Sequence, residues 1–431
     1  MDDMVEFLKG KNIVLYGYGI SNKSIEEVLI KNKIEYLIYI DGQDFPINKI
    51  NKRTLVIKSN GIPPTTLFLE FLEKNRIQVI NDLELYSIFY HYGNIIGITG
   101  SNGKTTTGNL INKILDDSKF IGNNGVSLIS QIDNYTKNTV IECSSFMLNN
   151  IKSFHPHIFV LLNIEYHHID YHKSFSNYLD SKLNPLRNMN KSDLVVFNYD
   201  DKILRRCMGN YDLNIKSFSL EPNSLFTNCY LMDEAIYYEG KEFIKLSMLN
   251  NKSKHNIQNI MAAIITCKNL KINDDDIKYH ICNLENLPHR IEKFHKYQNV
   301  TFFNDSKATN PYATLKAIEY LSELKEDEKL IWIGGGKSIK DDYSVLESVI
   351  NLIDEVYLYG ENRYVLNEIL ISNGFKKIFI FEKLEELIIH LRNRISNYAY
   401  ILFSPASTSF DMFKNFEERG NYFKNLILKY Y

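Results

Sequence analysis

Tryptophan occurs once, proline nine times and cysteine five times in 431 residues. The cysteines, Cys143, Cys207, Cys229, Cys267 and Cys282, are scattered and form no CxxC pair. That argues against a disulfide framework or a structural zinc site and for a reducing cytosol. No apolar run approaches the roughly 18 residues of a membrane-spanning helix. The acidic start, Met1-Asp2-Asp3-Met4-Val5-Glu6, lacks the apolar core of a signal segment. Neither sign of charge dominates: the formal net charge is −2, which gives no global attraction to nucleic acid or an anionic membrane. Internal repeats and low-complexity tracts are also missing. These absences leave a cytoplasmic globular protein with an ordinary composition, 44% hydrophobic and 24% charged, long enough for about two to four domains.

Against that plain background one stretch stands out, Ile95-Ile96-Gly97-Ile98-Thr99-Gly100-Ser101-Asn102-Gly103-Lys104-Thr105-Thr106-Thr107. A buried strand, a glycine-rich turn and Gly-Lys-Thr opening a helix together describe a triphosphate cradle. Main-chain N–H groups can wrap a phosphate where no Cβ intrudes, and the helix N-terminus adds partial positive charge. Lys104 would reach the β- and γ-phosphates, and the Thr105 hydroxyl would sit on Mg²⁺. The usual pattern places a glycine where this chain has Ile98, so the expected loop uses glycines at 97, 100 and 103 and includes Ser101, Asn102 and Thr106.

The flanking chain alternates strands and helices in an α/β rhythm. Strand 12–16, the Gly17-Tyr18-Gly19 turn, a helix through Lys31 and strand 36–40 ending at Asp41 resemble a first βαβ unit with an acid placed for a ribose. Asn22 stands where the third glycine of such a fingerprint belongs, so a tight turn and a nucleotide site remain equal readings, and a nicotinamide enzyme is disfavoured. Strands 54–58 and 77–80 continue the unit to about residue 93. Strands 138–142, 157–163 and 193–198 follow the cradle, and segment 211–250 suggests an antiparallel insertion before helix 256–268. A third α/β unit begins beyond Pro288-His289-Arg290, with strand 300–304, helix 311–323, strand 329–333 and strand 399–403.

Several residues at strand ends could carry chemistry. Glu142 closes an apolar strand, where it could hold Mg²⁺ or be a solvated acid. The run Asn163-Ile164-Glu165-Tyr166-His167-His168-Ile169-Asp170-Tyr171-His172 could bind a metal or decorate a loop, and it matches no zinc pattern. Lys182, one turn after Tyr178, has the look of a solvated surface lysine. Asn304-Asp305-Ser306-Lys307-Ala308-Thr309-Asn310 suits an N-capping loop or a phosphate or carboxylate substrate. Gly334-Gly335-Gly336-Lys337-Ser338 offers a second backbone nest with a cation. Ser404-Pro405-Ala406-Ser407-Thr408-Ser409-Phe410-Asp411 could serve a carboxylate or cap a helix.

Taken together these segments resemble the Mur ligase family, essentially end to end, and within it the D-glutamate-adding branch. Gly97-Ile98-Thr99-Gly100-Ser101-Asn102-Gly103-Lys104-Thr105 marks the family. Asn304-Asp305-Ser306-Lys307 and the run from Ser404 through Phe416 to Arg419-Gly420 point to the branch. The resemblance implies a monomer of three α/β domains: 1–93, Rossmann-like, for the uridine nucleotide; 94–297, a P-loop ATPase on a parallel sheet; and 298–431, Rossmann-like, closing over the amino acid. It implies an ATP-dependent amide ligase that adds D-glutamate to UDP-N-acetylmuramoyl-L-alanine through an acyl phosphate, in peptidoglycan precursor synthesis. Another amide ligase of the superfamily, of the folylpolyglutamate synthetase kind, or a P-loop switch without catalysis are the rival readings.

By the same resemblance ATP and two Mg²⁺ are required. Gly100, Ser101, Asn102, Gly103, Lys104, Thr105, Thr106, Asn259, Arg290 and Asp305 hold the nucleotide. Thr105, Glu142, His168 and Lys182 serve the metals, with Lys182 carrying a CO₂-derived carbamate. The acting groups are thus Lys104, Glu142, His168 and Lys182. Ile20, Ser21 and Asp41 hold the uridine part, Asn123 and Ser144 the muramoyl part, and Lys307 and Thr309 the reacting end. Lys337, Ser409 and Phe416 form the D-glutamate pocket. Ser253, Asn60 and Asn286 depart from the family pattern, and the loop 334–338 is one residue short.

Overall fold

A computed structural model describes residues 1–44, 46–166, 168–222, 226–284, 288–337, 342–395 and 398–431. His167, Asn286 and Ser338 lie outside the described residues. The chain forms two compact units, Met1–Leu284 and Glu285–Tyr431.

Among the described residues three sheets form. The first has the order β2-β1-β3-β4, with β1 Asn12–Tyr16, β2 Tyr36–Tyr39, β3 Thr54–Lys58 and β4 Gln78–Ile80, all parallel. The second is nine-stranded, β13-β12-β11-β10-β9-β8-β5-β7-β6. Its strands are β5 Asn94–Thr99, β6 Ser118–Gly122, β7 Asn138–Glu142, β8 Ile158–Leu161, β9 Leu194–Asn198, β10 Asn214–Ser219, β11 Cys229–Met232, β12 Ala235–Tyr238 and β13 Lys241–Lys245. The third, in the second unit, runs β14-β15-β19-β16-β17-β18, from β14 Glu292–Tyr297, β15 Val300–Asn304, β16 Lys329–Gly335, β17 Glu355–Tyr359, β18 Ile378–Ile380 and β19 Ala399–Phe403.

The alternating βα sequence demands crossover helices, and they bury both faces of the sheets. β7, β8 and β9 are accordingly buried at every position, with apolar stretches Val140-Ile141, Ile158–Leu161 and 194–197. The first two sheets share one apolar cluster: Leu15, Leu55, Leu83 and Tyr86 pack in it with Ile141, Met147 and Phe159. Residues 1–93 therefore carry their own sheet inside a larger compact unit. The helix Asp82–Phe89 is fastened by Glu84, whose carboxylate accepts the N–H groups of Lys152 and Ser153.

Two details differ from the reading of the sequence. Within segment 211–250 the pairs β11–β12 and β12–β13 are antiparallel, whereas β10 pairs parallel with both β9 and β11 and extends the parallel sheet. Their short alternating runs describe strands near a sheet edge, half wetted, and alternation does not fix strand direction. Residues 292–297, placed before the expected division at 297/298, pair with β15 as an antiparallel hairpin of the third sheet. No helix among the described residues is long and apolar enough to cross a membrane.

Candidate functional site

In the first unit the cradle forms at the C-terminal ends of β5, β7 and β8, where open α/β sheets bind their ligands. Gly103 is the N-cap of helix Lys104–Ile114, with φ +85°. A Cβ there would lie 2.5 Å from Asn259 Oδ1, so this glycine is required twice over, by conformation and by contact. Gly97, expected in the cradle, lies inside β5 instead, where a Cβ would meet the Phe159 ring at 2.9 Å. It is a packing glycine.

The loop is held from outside. Asn163 accepts the Asn102 N–H at 2.8 Å through Oδ1, and its own amide donates to Asn102 O. Glu165 Oε2 accepts from Asn102 Nδ2 at 2.8 Å. Ser101 Oγ stands 2.7 Å from the Tyr178 hydroxyl and accepts from Glu165 N. Lys104 Nζ donates to Gly100 O and Ser101 O, each at 2.8 Å. Ser101 to Thr106 are all partly exposed. Asn259, buried in helix Lys254–Asn269, borders Gly103.

Lys182 is the largest correction to the unaided reading. It is 2% exposed, not solvated. Its ammonium donates to Gly100 O at 2.8 Å and Thr99 Oγ1 at 3.3 Å, and lies 5.0 Å from the Tyr178 ring centre. Burial first, and the charge of Lys104 second, push this amine well below the usual lysine range. Helix Phe175–Leu183 turns Tyr178, Ser181 and Lys182 inward together, a choice of face that tertiary packing makes.

Glu142 ends β7 at 2% exposure. Oε1 accepts from Asn123 Nδ2 at 2.9 Å, and Oε2 is buried without a partner among the described residues. A buried carboxylate oxygen with no donor is costly unless a cation meets it. The Thr105 hydroxyl and the Glu142 carboxylate are oxygen donors of the kind Mg²⁺ takes, so these residues fit the metal, while Lys182 stands as an amine hydrogen-bonded to Gly100 O and Thr99 Oγ1. His168 is half-buried with φ +56° and packs at 4.6 Å on Phe146. His172, by contrast, turns into the core: Nε2 lies 3.0 Å from Ser145 Oγ, and burial pushes it down to about 4. Among the described residues no three His, Cys, Asp or Glu side chains gather as a metal cluster. Ser144 caps the short helix after β7 by accepting from Met147 N.

Ile20, Ser21 and Asp41 form a separate group on the first sheet. Ile20 is 65% exposed, and Ser21 hydrogen-bonds the buried Asp82 carboxyl. Asn22 occupies the place of the third glycine and donates to Tyr16 O, Gly17 O and Ile57 O. Asn60, standing for a proline, bonds Asp82 through its amide.

The second unit gathers a second cluster. Asp305 accepts from Ser404 Oγ at 2.7 Å and Ile291 N at 3.2 Å, and burial pushes its carboxyl up to about 7 against the pull of Arg290 and Arg419. Lys307 Nζ lies 3.8 Å over the Phe416 ring, and Thr309 N donates to Lys307 O. Ser409 is buried, and its carbonyl accepts from Met412 and Phe413. Lys337 pairs with Glu361 at 3.2 Å. Of the described residues in the expected nest, Gly335 and Lys337 have their N–H groups taken by Pro405 O and Thr408 O. Arg419 is the organiser that sequence reasoning missed. Fully buried, it donates to Ser306 Oγ, Ser306 O, Ser407 O and Thr408 O, tying the Asp305–Lys307 loop to the Ser407–Ser409 loop. Its signal was an arginine inside an otherwise substrate-like motif.

Two known protein families match parts of the chain that include the cradle and the Asp305–Lys307 loop. The Mur ligase middle domain matches residues 98–267, and the Mur ligase glutamate ligase domain matches residues 289–407. The chain belongs to the Mur ligase family. It is 30% identical to the UDP-N-acetylmuramoylalanine–D-glutamate ligase of Caldicellulosiruptor bescii over 97% of this chain and 98% of that one. It is 33% identical to the ligase of the same name from Prochlorococcus marinus, covering 86% and 81%. Among solved structures, Thermotoga maritima MurF in complex with ADP superposes with a TM-score of 0.65 at 18% identity, covering both chains fully. At that identity the likeness concerns the Mur ligase fold alone.

Proposed function

We propose that this Mur ligase joins D-glutamate to UDP-N-acetylmuramoyl-L-alanine at the expense of ATP. The observation that carries the ligase reading is Lys182, a buried amine held on the carbonyl of a P-loop glycine beside Lys104. A surface lysine would have no reason to pay desolvation there. A lysine destined to become a carboxylate does, because the low proton affinity of its amine favours attack on CO₂: the nitrogen lone pair bonds the carbon, one proton leaves, and a carbamate remains. The D-glutamate reading is supported by the names of the nearly full-length relatives and by Asn304-Asp305-Ser306-Lys307.

A carboxylate is a poor acyl donor until its oxygen becomes a good leaving group. In the reading offered here the alanyl carboxylate attacks the γ-phosphate, ADP leaves, and the amine of D-glutamate attacks the resulting acyl phosphate to expel phosphate. Lys104, freed from Gly100 O and Ser101 O, binds the phosphate chain, while Asn259 borders the nucleotide at Gly103. Mg²⁺ held by Thr105, Glu142, His168 and the Lys182 carbamate would neutralise the charge that collects on the phosphoryl oxygens. Asn123 keeps Glu142 oriented. In the second unit Arg290 and Asp305 serve the nucleotide, Lys307 and Thr309 the reacting end, and Lys337, Ser409 and Phe416 the amino acid. Ile20, Ser21 and Asp41 take the uridine part, and Asn123 and Ser144 the muramoyl part.

The test is phosphate release from ATP with UDP-N-acetylmuramoyl-L-alanine, adding D-glutamate, L-glutamate, L-lysine or meso-diaminopimelate separately. Turnover with D-glutamate alone is expected. Turnover with another amine, or none with any of them, would overturn the assignment.

A further inference from the structure

The first sheet holds a buried phenol that the ligase reading does not use. Tyr16, the last residue of β1, is fully buried. Its hydroxyl lies 2.6 Å from Asp41 Oδ1 and 2.9 Å from Thr66 Oγ1. A phenol has one proton, and the carboxylate is the stronger acceptor. The Thr66 hydroxyl therefore donates back to the phenol oxygen, giving a one-way chain from Thr66 through Tyr16 to Asp41. Thr66 is itself fixed as the N-cap of helix Leu67–Lys74.

The ring cannot swing. Phe68 meets it edge-on at 5.1 Å, Tyr39 lies at 5.3 Å, and Tyr39 and Phe68 are 4.4 Å apart. Asp41, in contrast, is exposed on the loop after β2. Among the described residues the phenol is its one side-chain partner. Tyr16 and Tyr39 are register partners in adjacent parallel strands, so the pair stands at the sheet's C-terminal edge, where α/β sheets take nucleotides. An exposed aspartate on a loop would sample many rotamers. One whose Oδ1 is pinned by a buried phenol presents its remaining acceptor in a fixed direction.

We propose that Tyr16 is a positioning residue: it fixes Asp41 as a hydrogen-bond acceptor for the nucleoside half of the sugar nucleotide. The inference rests on the reading of the first sheet as the uridine site and goes beyond it by naming the residue that orders that site.

UDP itself is the probe, with its Kd measured on the full chain by titration calorimetry. ADP binding to the P-loop serves as the control for folding. Tyr16→Phe keeps the packed ring and deletes only the hydroxyl. It is expected to weaken UDP about tenfold, as is Asp41→Asn, because each loses one charge-assisted interaction. The double variant should bind no more weakly than Asp41→Asn alone, and ADP affinity should stay unchanged throughout. A purely structural role for Tyr16 would give additive losses. Wild-type affinity in Tyr16→Phe, or additivity in the double variant, would overturn the positioning role. Wild-type protein that binds ADP but not UDP would overturn the uridine reading itself, before any variant is made.

Discussion

Two strand–turn–helix units of Met1–Leu284, those after β1 and β5, are opened by glycines of positive φ, and they differ in how they hold a lysine. At the turn after β5, Gly103 caps the helix with φ +85° and Lys104, partly exposed, holds two loop carbonyls. At the turn after β1, Gly17 also has positive φ, and a Cβ there would strike Ile62 at 2.5 Å. A lysine stands here too: Lys58 donates to Ile62 O at 2.8 Å and Ser59 O at 3.5 Å. But Lys58 is 1% exposed, and Asn22 stitches the turn to β1 and β3 from within. The topology is the same, while the accessibility of the cation is opposite. An anion site needs donors that can exchange their internal bonds for a ligand's, and the first turn has committed its donors to the fold.

The heaviest effects should fall on Lys104, the accessible cation of the cradle, and on the buried amine of Lys182 behind it. Lys104→Ala and Lys182→Ala are each expected to lower ATP turnover by about 10²–10³-fold or more. The two are separable: excess bicarbonate or a short-chain carboxylate should partly restore Lys182→Ala and leave Lys104→Ala inert. Near-normal phosphate release from Lys182→Ala would remove the carbamate from the scheme. Next comes Gly103→Ala. It forces a side chain into a left-handed conformation, at about 1–2 kcal/mol, and sets its Cβ 2.5 Å from Asn259 Oδ1. ADP affinity should fall at least tenfold by calorimetry.

How much of this contrast could be read beforehand depends on the kind of signal. The cradle was legible because local chemistry fixes it: glycines, a lysine and a strand in one continuous segment. Glu142 was legible by its place at the end of an apolar strand. Lys182 was not, since Asn177-Tyr178-Leu179-Asp180-Ser181-Lys182 does not say which helix face is buried, and only the resemblance assigned it. The strand Ser118–Gly122 was overlooked because Lys119 interrupts its apolar pattern. That lysine is buried over Tyr90 at 4.0 Å and donates to Gln131 O, a contact made far along the chain. Asn22 reads in the sequence only as a missing glycine, and nothing local announces that its amide donates to Tyr16 O, Gly17 O and Ile57 O.

Asn22→Ala tests that role. It removes the amide that serves three carbonyls, of which Tyr16 O keeps the N–H of Ser59. Each such loss costs about 1–3 kcal/mol, with partial repair by water, so urea unfolding should report a destabilisation of about 3 kcal/mol. ADP binding at the other turn should be unaffected. Loss of ADP binding would mean that the two turns are energetically one site and that their contrast is superficial.

The smallest effect separates the two lysines by pH. Burial pushes Lys58 down to about 8, and Asp82 only partly opposes it. The unfolded chain keeps an ordinary lysine near 10.5. Between those two values the unfolded state binds more protons than the native one, so this group makes stability rise as pH increases through the window, by about 1 kcal/mol per pH unit at most. Below pH 8 both states are protonated and the contribution is flat. Lys58→Met removes the group, and its unfolding free energy should lack this rise between pH 8 and 10 while the parent retains it. Equal slopes in parent and variant would place the Lys58 charge in contact with solvent. The turn after β1 would then hold an exchangeable cation after all and become a second candidate for anion binding.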